Sequence, residues 1–290
     1  MARTAQTVGP PAETAVGRHS SIVYSDDRQW AEHLCTFVRD GLAEHEAMRY
    51  FAYATDPAHV LRTLDAAGID AEGARRSGQL TVESVSTGYR VDAAFDPDAL
   101  IGQWHAAVDT AFADGYRGLR VVGEMSWAER DTGDADRMLE YELRIHHEVF
   151  EQLPLTGWCL YDRRLMSRER LKVLAGAHLT HRGDPVAAPT LRVAPLADAP
   201  GFRLGGAAGH DTRRIVAAAA AALTRTPHPR LDLDLSALHH LDAASLVTLA
   251  RAAAHRPGST LLRITEAPPT VRRLLDLFPE LGSTMEVVAR

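Results

Sequence analysis

Lysine is all but missing from this chain. Lys172 is the single example among 290 residues, beside 31 arginines. A phosphate-cradling loop needs glycine amides facing the anion and a lysine reaching the terminal phosphates. Leu171 precedes Lys172, and no Gly-Lys-Ser/Thr occurs anywhere. A working P-loop is excluded. Cysteine is scarce too: Cys35 and Cys159 alone cannot build a disulfide framework or a cysteine-based zinc site. No run approaches twenty apolar residues, which excludes a membrane-spanning helix. The opening Met1-Ala2-Arg3-Thr4-Ala5 lacks the apolar core of a secretion signal, so a cytoplasmic location is expected. The Gly-x-Ser-x-Gly elbow of a serine hydrolase is also missing.

Hydrophobic residues make up 46% of the chain and charged ones 24%, a globular composition with enough apolar material for two cores. Net charge is −6, and it is uneven: residues 1–189 carry −9 and residues 190–290 carry +3. Neither part has a dense basic stripe, so direct nucleic-acid binding is not expected. The Ala/Arg-rich usage points to a bacterial source.

Residues 1–17 lack periodicity and read as a disordered tail. From 18 to 182, short apolar runs alternate with helical patterns. Strands are expected at Ser20–Tyr24, Met48–Ala54, Gln79–Ser84, Leu119–Val122 and Trp158–Tyr161. Helices are expected at Asp27–Ala43, Pro57–Ala67, Asp98–Ala113, Asp134–Gln152 and Ser167–Leu174. Such alternation implies a mostly parallel sheet covered by helices. Residues 183–190 carry two prolines and read as a linker. Residues 191–290 form a smaller α/β unit, with strands at 191–193, 202–204, 231–235, 260–264 and 285–288. Its helices are expected at 211–223, 243–254 and 270–277. Gly205-Gly206-Ala207-Ala208-Gly209 reads as a β–α turn, and the alanine run 217–222 as a helix surface able to pack closely.

Metal binding looks weak. Glu142 and His146 lie four apart beside His147 and Glu148, but no His-Glu-x-x-His occurs and sequence places no third ligand. These residues read as a solvated helical face, and His178, His181, His239 and His240 as surface groups. No metal or cofactor is expected. Open α/β sheets bind ligands beyond the carboxyl ends of their strands. Three strand ends carry suitable groups: Tyr24-Ser25-Asp26-Asp27, Gly123-Glu124-Met125-Ser126-Trp127 and Tyr161-Asp162-Arg163-Arg164. Helix capping by Asp26 or Asp27, pairing of Asp162 with an arginine, and a core role for Trp127 are the alternatives.

These segments, with His19-Ser20-Ser21-Ile22-Val23-Tyr24, Leu139-Glu140-Tyr141-Glu142 and Cys159-Leu160-Tyr161-Asp162, resemble the MEDS sensory domain over roughly residues 18–182. The resemblance implies a RecA/KaiC-like parallel-sheet fold that lost its P-loop and senses small hydrocarbon-like molecules. His19, Tyr24, Glu124, Trp127, Tyr161 and Asp162 are the ligand-binding candidates. The second unit resembles a STAS domain, the anti-sigma-factor antagonist fold, through Leu233-Asp234-Leu235-Ser236 and Leu241-Asp242-Ala243-Ala244-Ser245-Leu246. The implied partner surface is Asp234, Ser236, Asp242, Ala243, Ala244, Ser245 and Leu246. The serine usually phosphorylated in that family is Ala243 here, which has no hydroxyl.

The expected protein is a non-enzymatic regulator whose sensing domain controls a STAS-like face. That face would bind an anti-sigma factor or kinase-type regulator, and a homodimer is compatible with this. The alternatives are a degenerate phosphotransferase or hydrolase using Glu124, His19 and Asp162, and a pure interaction scaffold.

Overall fold

The structure is a computed structural model that describes residues 18–88, 95–129, 135–257 and 261–288. The tail expected at 1–17 lies outside the described residues. Strand β1 (His19–Tyr24) leads into helix α1 (Asp27–Ala43), whose N-terminus is capped by the Asp26 carboxylate accepting from Gln29 N at 2.8 Å. There follow β2 (Ala47–Ala52), α2 (Pro57–Ala66), α3 (Ala71–Arg76), β3 (Leu80–Ser84) and α4 (Pro97–Ala113). Next come β4 (Leu119–Glu124) and α5 (Ala135–Ile145), which runs on as a π turn over His146–Phe150. Strand β5 (Leu155–Asp162), helix α6 (Arg168–Gly176) and edge strand β6 (Thr180–Gly183) complete the first sheet.

All pairings in this sheet are parallel, and its order is β3-β2-β4-β5-β1-β6. The chain moves one way through β1, β2 and β3, and then back through β4, β5 and β6. Right-handed crossovers therefore place α1 to α3 on one face and α4 to α6 on the other. Side chains alternate across each strand, which produces two separate cores. Ile22, Tyr50, Val122 and Leu160 pack with α1 and α2, whereas Val23, Phe51, Val121 and Tyr161 pack with α4 and α5.

The remaining chain builds a five-stranded mixed sheet of order β11-β10-β9-β8-β7. Its elements are β7 (Leu191–Pro195), β8 (Gly201–Ala208), α7 (Arg213–Arg225), β9 (Arg230–Leu241), α8 (Ala243–Ala254), β10 (Leu261–Thr265), α9 (Pro269–Leu277) and β11 (Met285–Val287). Only β7 runs antiparallel to its neighbour. The glycine segment expected to turn is instead a continuation of β8 through Ala208, with register shifts against β9. Gly206 holds φ at +98°, and a Cβ there would run into the Thr190 carbonyl. Bulged strands tolerate such geometry where glycine supplies it.

The alanine face of α7 packs on both α8 and α5. Alanine side chains let helix axes approach closely, and Ala218, Ala219 and Ala222 are each buried. The apolar core beside α5 continues without a break into the second sheet. Among the described residues no helix is long and apolar enough to cross a membrane.

Candidate functional site: a buried histidine, glutamate and cysteine cluster

Strand β1 is buried along its whole length because β5 and β6 flank it and helices cover both faces. His19 opens the strand and points to the α5 face, as do Cys159 and Tyr161 of β5. Gly157, the register partner of His19, leaves room for the Phe150 ring, which stacks on the His19 imidazole with centroids 4.4 Å apart. Glu142 descends from α5 and His178 follows the C-terminus of α6. All four polar groups meet in one enclosed spot.

Glu142 Oε2 lies 3.2 Å from His19 Nε2, 3.4 Å from His178 Nε2 and 3.8 Å from Cys159 Sγ. Cys159 Sγ is 3.6 Å from His19 Nε2. The other carboxylate oxygen accepts from Tyr161 Oη at 3.2 Å. His178 Nδ1 sits 2.9 Å from Leu174 O, so this nitrogen donates and the lone pair on Nε2 faces the cluster. That Nε2 has no hydrogen-bond partner.

Burial sets the protonation of these groups. It pushes His178 down to about 3, helped by His19, and holds His19 well below the ordinary histidine value. Burial also raises the Glu142 carboxyl, against the pull of His178, Tyr161 and Cys159, and raises the Cys159 thiol with help from Glu142. Both imidazoles are therefore neutral at pH 7.

A cavity of about 20 Å³ adjoins the cluster, lined by His19 and Cys159 together with Trp104, Val121, Tyr141 and Phe150. One turn beyond Glu142, the π turn presents His146 and His147 to Glu151, at 3.4 and 3.0 Å. Burial opposes the Glu151 charge, but the two neighbouring histidines, with a hydrogen bond from His147, outweigh it and hold the carboxyl at about 2. His147 Nε2 also reaches Gly201, 2.8 Å from its oxygen and 3.2 Å from its nitrogen, at the start of β8.

The structure corrects the reading of 142–148 as a solvated face. Glu142, His146, His147 and Glu148 are all buried, because α5 lies between the first sheet and α7. His178 is buried as well. Apolar residues 138, 139, 141, 143, 145, 149 and 150 span an arc far wider than the ~100° stripe of a surface helix, and that signal could have exposed the burial.

The six ligand-binding candidates lie on both faces of the sheet, and of them His19 borders the cavity beside the cluster. Strand alternation separates them: Tyr24, Glu124 and Asp162 lie on the α1 face, whereas His19, Trp127 and Tyr161 lie on the α5 face. Glu124 is a structural clasp. Its Oε1 accepts from Tyr50 Oη at 2.6 Å, and its Oε2 accepts from the amides of Tyr53, Ala54 and Thr55 at 2.8, 2.7 and 3.0 Å. Tyr50 in turn accepts from Trp30 Nε1. Asp162 is engaged by Arg164, and Trp127 packs on Phe95. His19 alone combines the expected role with the cavity and the cluster.

On the second unit, the Asp242 carboxylate caps α8 by accepting from Ser245 N at 2.7 Å. Ser236, Ala243 and Ala244 are exposed, whereas Asp234, Ser245 and Leu246 are buried. The surface available there is therefore narrower than the expected set. Asp234 accepts from Arg203 Nε at 2.6 Å and from Ser236 N, so it braces β9 from within the strand.

The six-stranded parallel sheet, covered by helices on both faces and holding a closed polar cluster beside a small cavity, defines an α/β domain. The model of the MEDS family, the methanogen/methylotroph, DcmR sensory domain, matches residues 18–181. The protein belongs to this family. The transcriptional repressor DcmR of Methylorubrum extorquens (strain DSM 6343 / CIP 106787 / DM4) is 27% identical over 132 residues, 45% of this chain. The chain spans about half the length of that curated relative, 46%.

Proposed function

We propose that this protein is a non-enzymatic bacterial regulator in which the MEDS region senses a small apolar molecule and the 191–290 unit binds a protein partner. The fold we assign to the sensing region is RecA/KaiC-like without its P-loop. The six-stranded parallel sheet supports this, as does Asp26 standing as a helix cap where a nucleotide loop would be. For the second unit the reading is STAS-like, with an anti-sigma factor or kinase-type regulator at the exposed tip of α8. The strand–turn–helix around Asp242 supports it. A repressor among the relatives favours control of transcription.

One observation carries the coupling. A single helix delivers Glu142 to the cavity-side cluster and, through its π turn, His147 to Gly201 of the second sheet. π turns concentrate at functional positions because their extra residue is costly to hold. A hydrocarbon-like ligand suits walls made of Trp104, Val121 and Phe150, yet about 20 Å³ must widen to admit one. Widening displaces α5, so the ligand binds the displaced arrangement better and shifts its population.

The test is hydrogen exchange across residues 243–254 with and without a series of one- to four-carbon hydrocarbons and haloalkanes. A binding member should change exchange there in the parent protein. His147→Ala should keep binding within about threefold and abolish the remote change. An unchanged remote response in that variant would remove the proposed route.

Phosphate is not expected in the 242–246 turn. Ala243 has no hydroxyl, and Ser245 is only 4% exposed. After incubation with a serine kinase, intact mass and peptide mapping should find residues 242–246 unmodified. Stoichiometric phosphate on Ser245 would restore a phosphoswitch reading.

A further inference from the structure

We propose that His19, Glu142, Cys159 and His178 bind one divalent transition-metal ion, zinc by the chemistry of its ligands, in a tetrahedral site between β1, β5, α5 and α6. One thiol, two imidazoles and one carboxylate are donors of the zinc repertoire. Their separations suit a shared ion. Tetrahedral bonds of about 2.0–2.1 Å to nitrogen or oxygen and about 2.3 Å to sulfur place N and O atoms about 3.3 Å apart, and S about 3.6 Å from either. The observed N to O gaps are 3.2 and 3.4 Å, and the gaps to sulfur are 3.6 and 3.8 Å.

The hydrogen bonding points the same way. His178 commits Nδ1–H to the Leu174 carbonyl, which fixes the tautomer that leaves Nε2 able to bind a metal. Metal-binding histidines characteristically donate their other N–H in this fashion. The fully buried Nε2 has no hydrogen-bond partner of its own and lies against Glu142 Oε2. A cation placed between these two atoms would be held by the Nε2 lone pair and the carboxylate oxygen together. Tyr161 Oη supports the carboxylate through its second oxygen, as an outer-shell partner would. Among the described ion pairs, Glu142 has only these two histidines as partners, so no arginine or lysine competes for it.

Binding would release the Cys159 thiol proton to solvent and leave a thiolate on the metal. The ion would tie the first strand of the domain to the segment after α6 that leads into the second unit. It is independent of hydrocarbon sensing: a protein that takes up zinc and ignores apolar molecules would leave this proposal intact.

The experiment uses the full chain, stripped with a chelator and dialysed against Zn2+ or Co2+ alone. About one ion should remain per chain, with a melting temperature raised by at least about 5 °C. The Co2+ form should show the intense visible bands of a tetrahedral site and a thiolate charge-transfer band. Cys35→Ser should preserve that band, since Cys35 sits on α1 across the sheet. Cys159→Ser, a one-atom change, should abolish it, whereas Glu151→Gln should leave stoichiometry unchanged. Less than about a tenth of an ion per chain in the unmutated protein would overturn the site. So would a parent spectrum without the thiolate band, or loss of the ion in Glu151→Gln with retention in Cys159→Ser. The parent stoichiometry and the Cys35→Ser spectrum decide the matter even if Cys159→Ser fails to fold.

Discussion

Arg144→Ala should lower the stability of the whole chain by about 3–5 kcal/mol, the largest loss expected from a single side chain here. The Arg144 guanidinium is buried beside Glu148, with Nε donating to Oε1 at 2.8 Å and Nη2 to Oε2 at 3.1 Å. It also bonds Glu140 at 3.0 Å and Asp98 at 2.7 Å. Glu140 and Glu148 are themselves buried, so removing the cation leaves two carboxylates with diminished compensation in a poorly solvated spot. Arg225 of α7 reaches Glu140 at 3.2 Å, but it is half exposed and cannot replace the fork on Glu148. The melting temperature should fall by roughly 10 °C or more. Arg144→Met combined with Glu140→Leu and Glu148→Leu should recover much of the loss, because buried ion clusters exchange for apolar ones at little net cost. An Arg144→Ala protein melting within about 2 °C of its parent would show that this arginine is not what compensates the two buried carboxylates.

The second large effect is expected from Glu124→Ala, at about 2–4 kcal/mol. Three consecutive amides and the Tyr50 hydroxyl converge on this one carboxylate. Amides from a short backbone turn form a natural anion cradle. Tyr50 is buried and loses its acceptor outright, while the amides of residues 53–55 lie nearer water and recover part of their hydration. Glu124→Gln keeps the shape and should cost about half as much. Exchange of those three amides should accelerate in both variants. Full stability in Glu124→Ala would return this residue to the list of ligand anchors.

Much of the fold is legible because its signals are local. Helix 27–43 has Trp30, Leu34, Phe37 and Val38 at helical spacing behind an aspartate cap. Helix 243–254 begins directly after Asp242, and both have the boundaries that the pattern implies. Strand β6 is illegible for the opposite reason. It is a short polar edge strand, Thr-His-Arg-Gly, and only its pairing with β1 makes it a strand. The continuation of β8 through two glycines likewise depends on β9 beside it.

The candidate site fared worse because its chemistry is set by which face of the sheet each residue takes. Glu124 and His19 look equivalent along the chain, yet strand parity sends them to opposite cores. Glu142 looks like a surface group because polar residues on helices usually are, and His178 because it lies just past a helix end. Glu142 is buried against β1 and β5, with His178 beside them, and the second unit packs on the rest of α5, a contact between residues far apart in sequence that no window of local pattern contains.

That contact also bears on any attempt to divide the protein. A fragment cut in the stretch before Leu191 would strip from α5 the alanine-rich cover supplied by α7, and would leave His147 and Glu140 without Gly201 and Arg225. The sensory half would then present to solvent a ribbon evolved for an interior, prone to self-association. Excising it yields a different molecule, since the supposed effector module is also the wall that keeps the sensor dry.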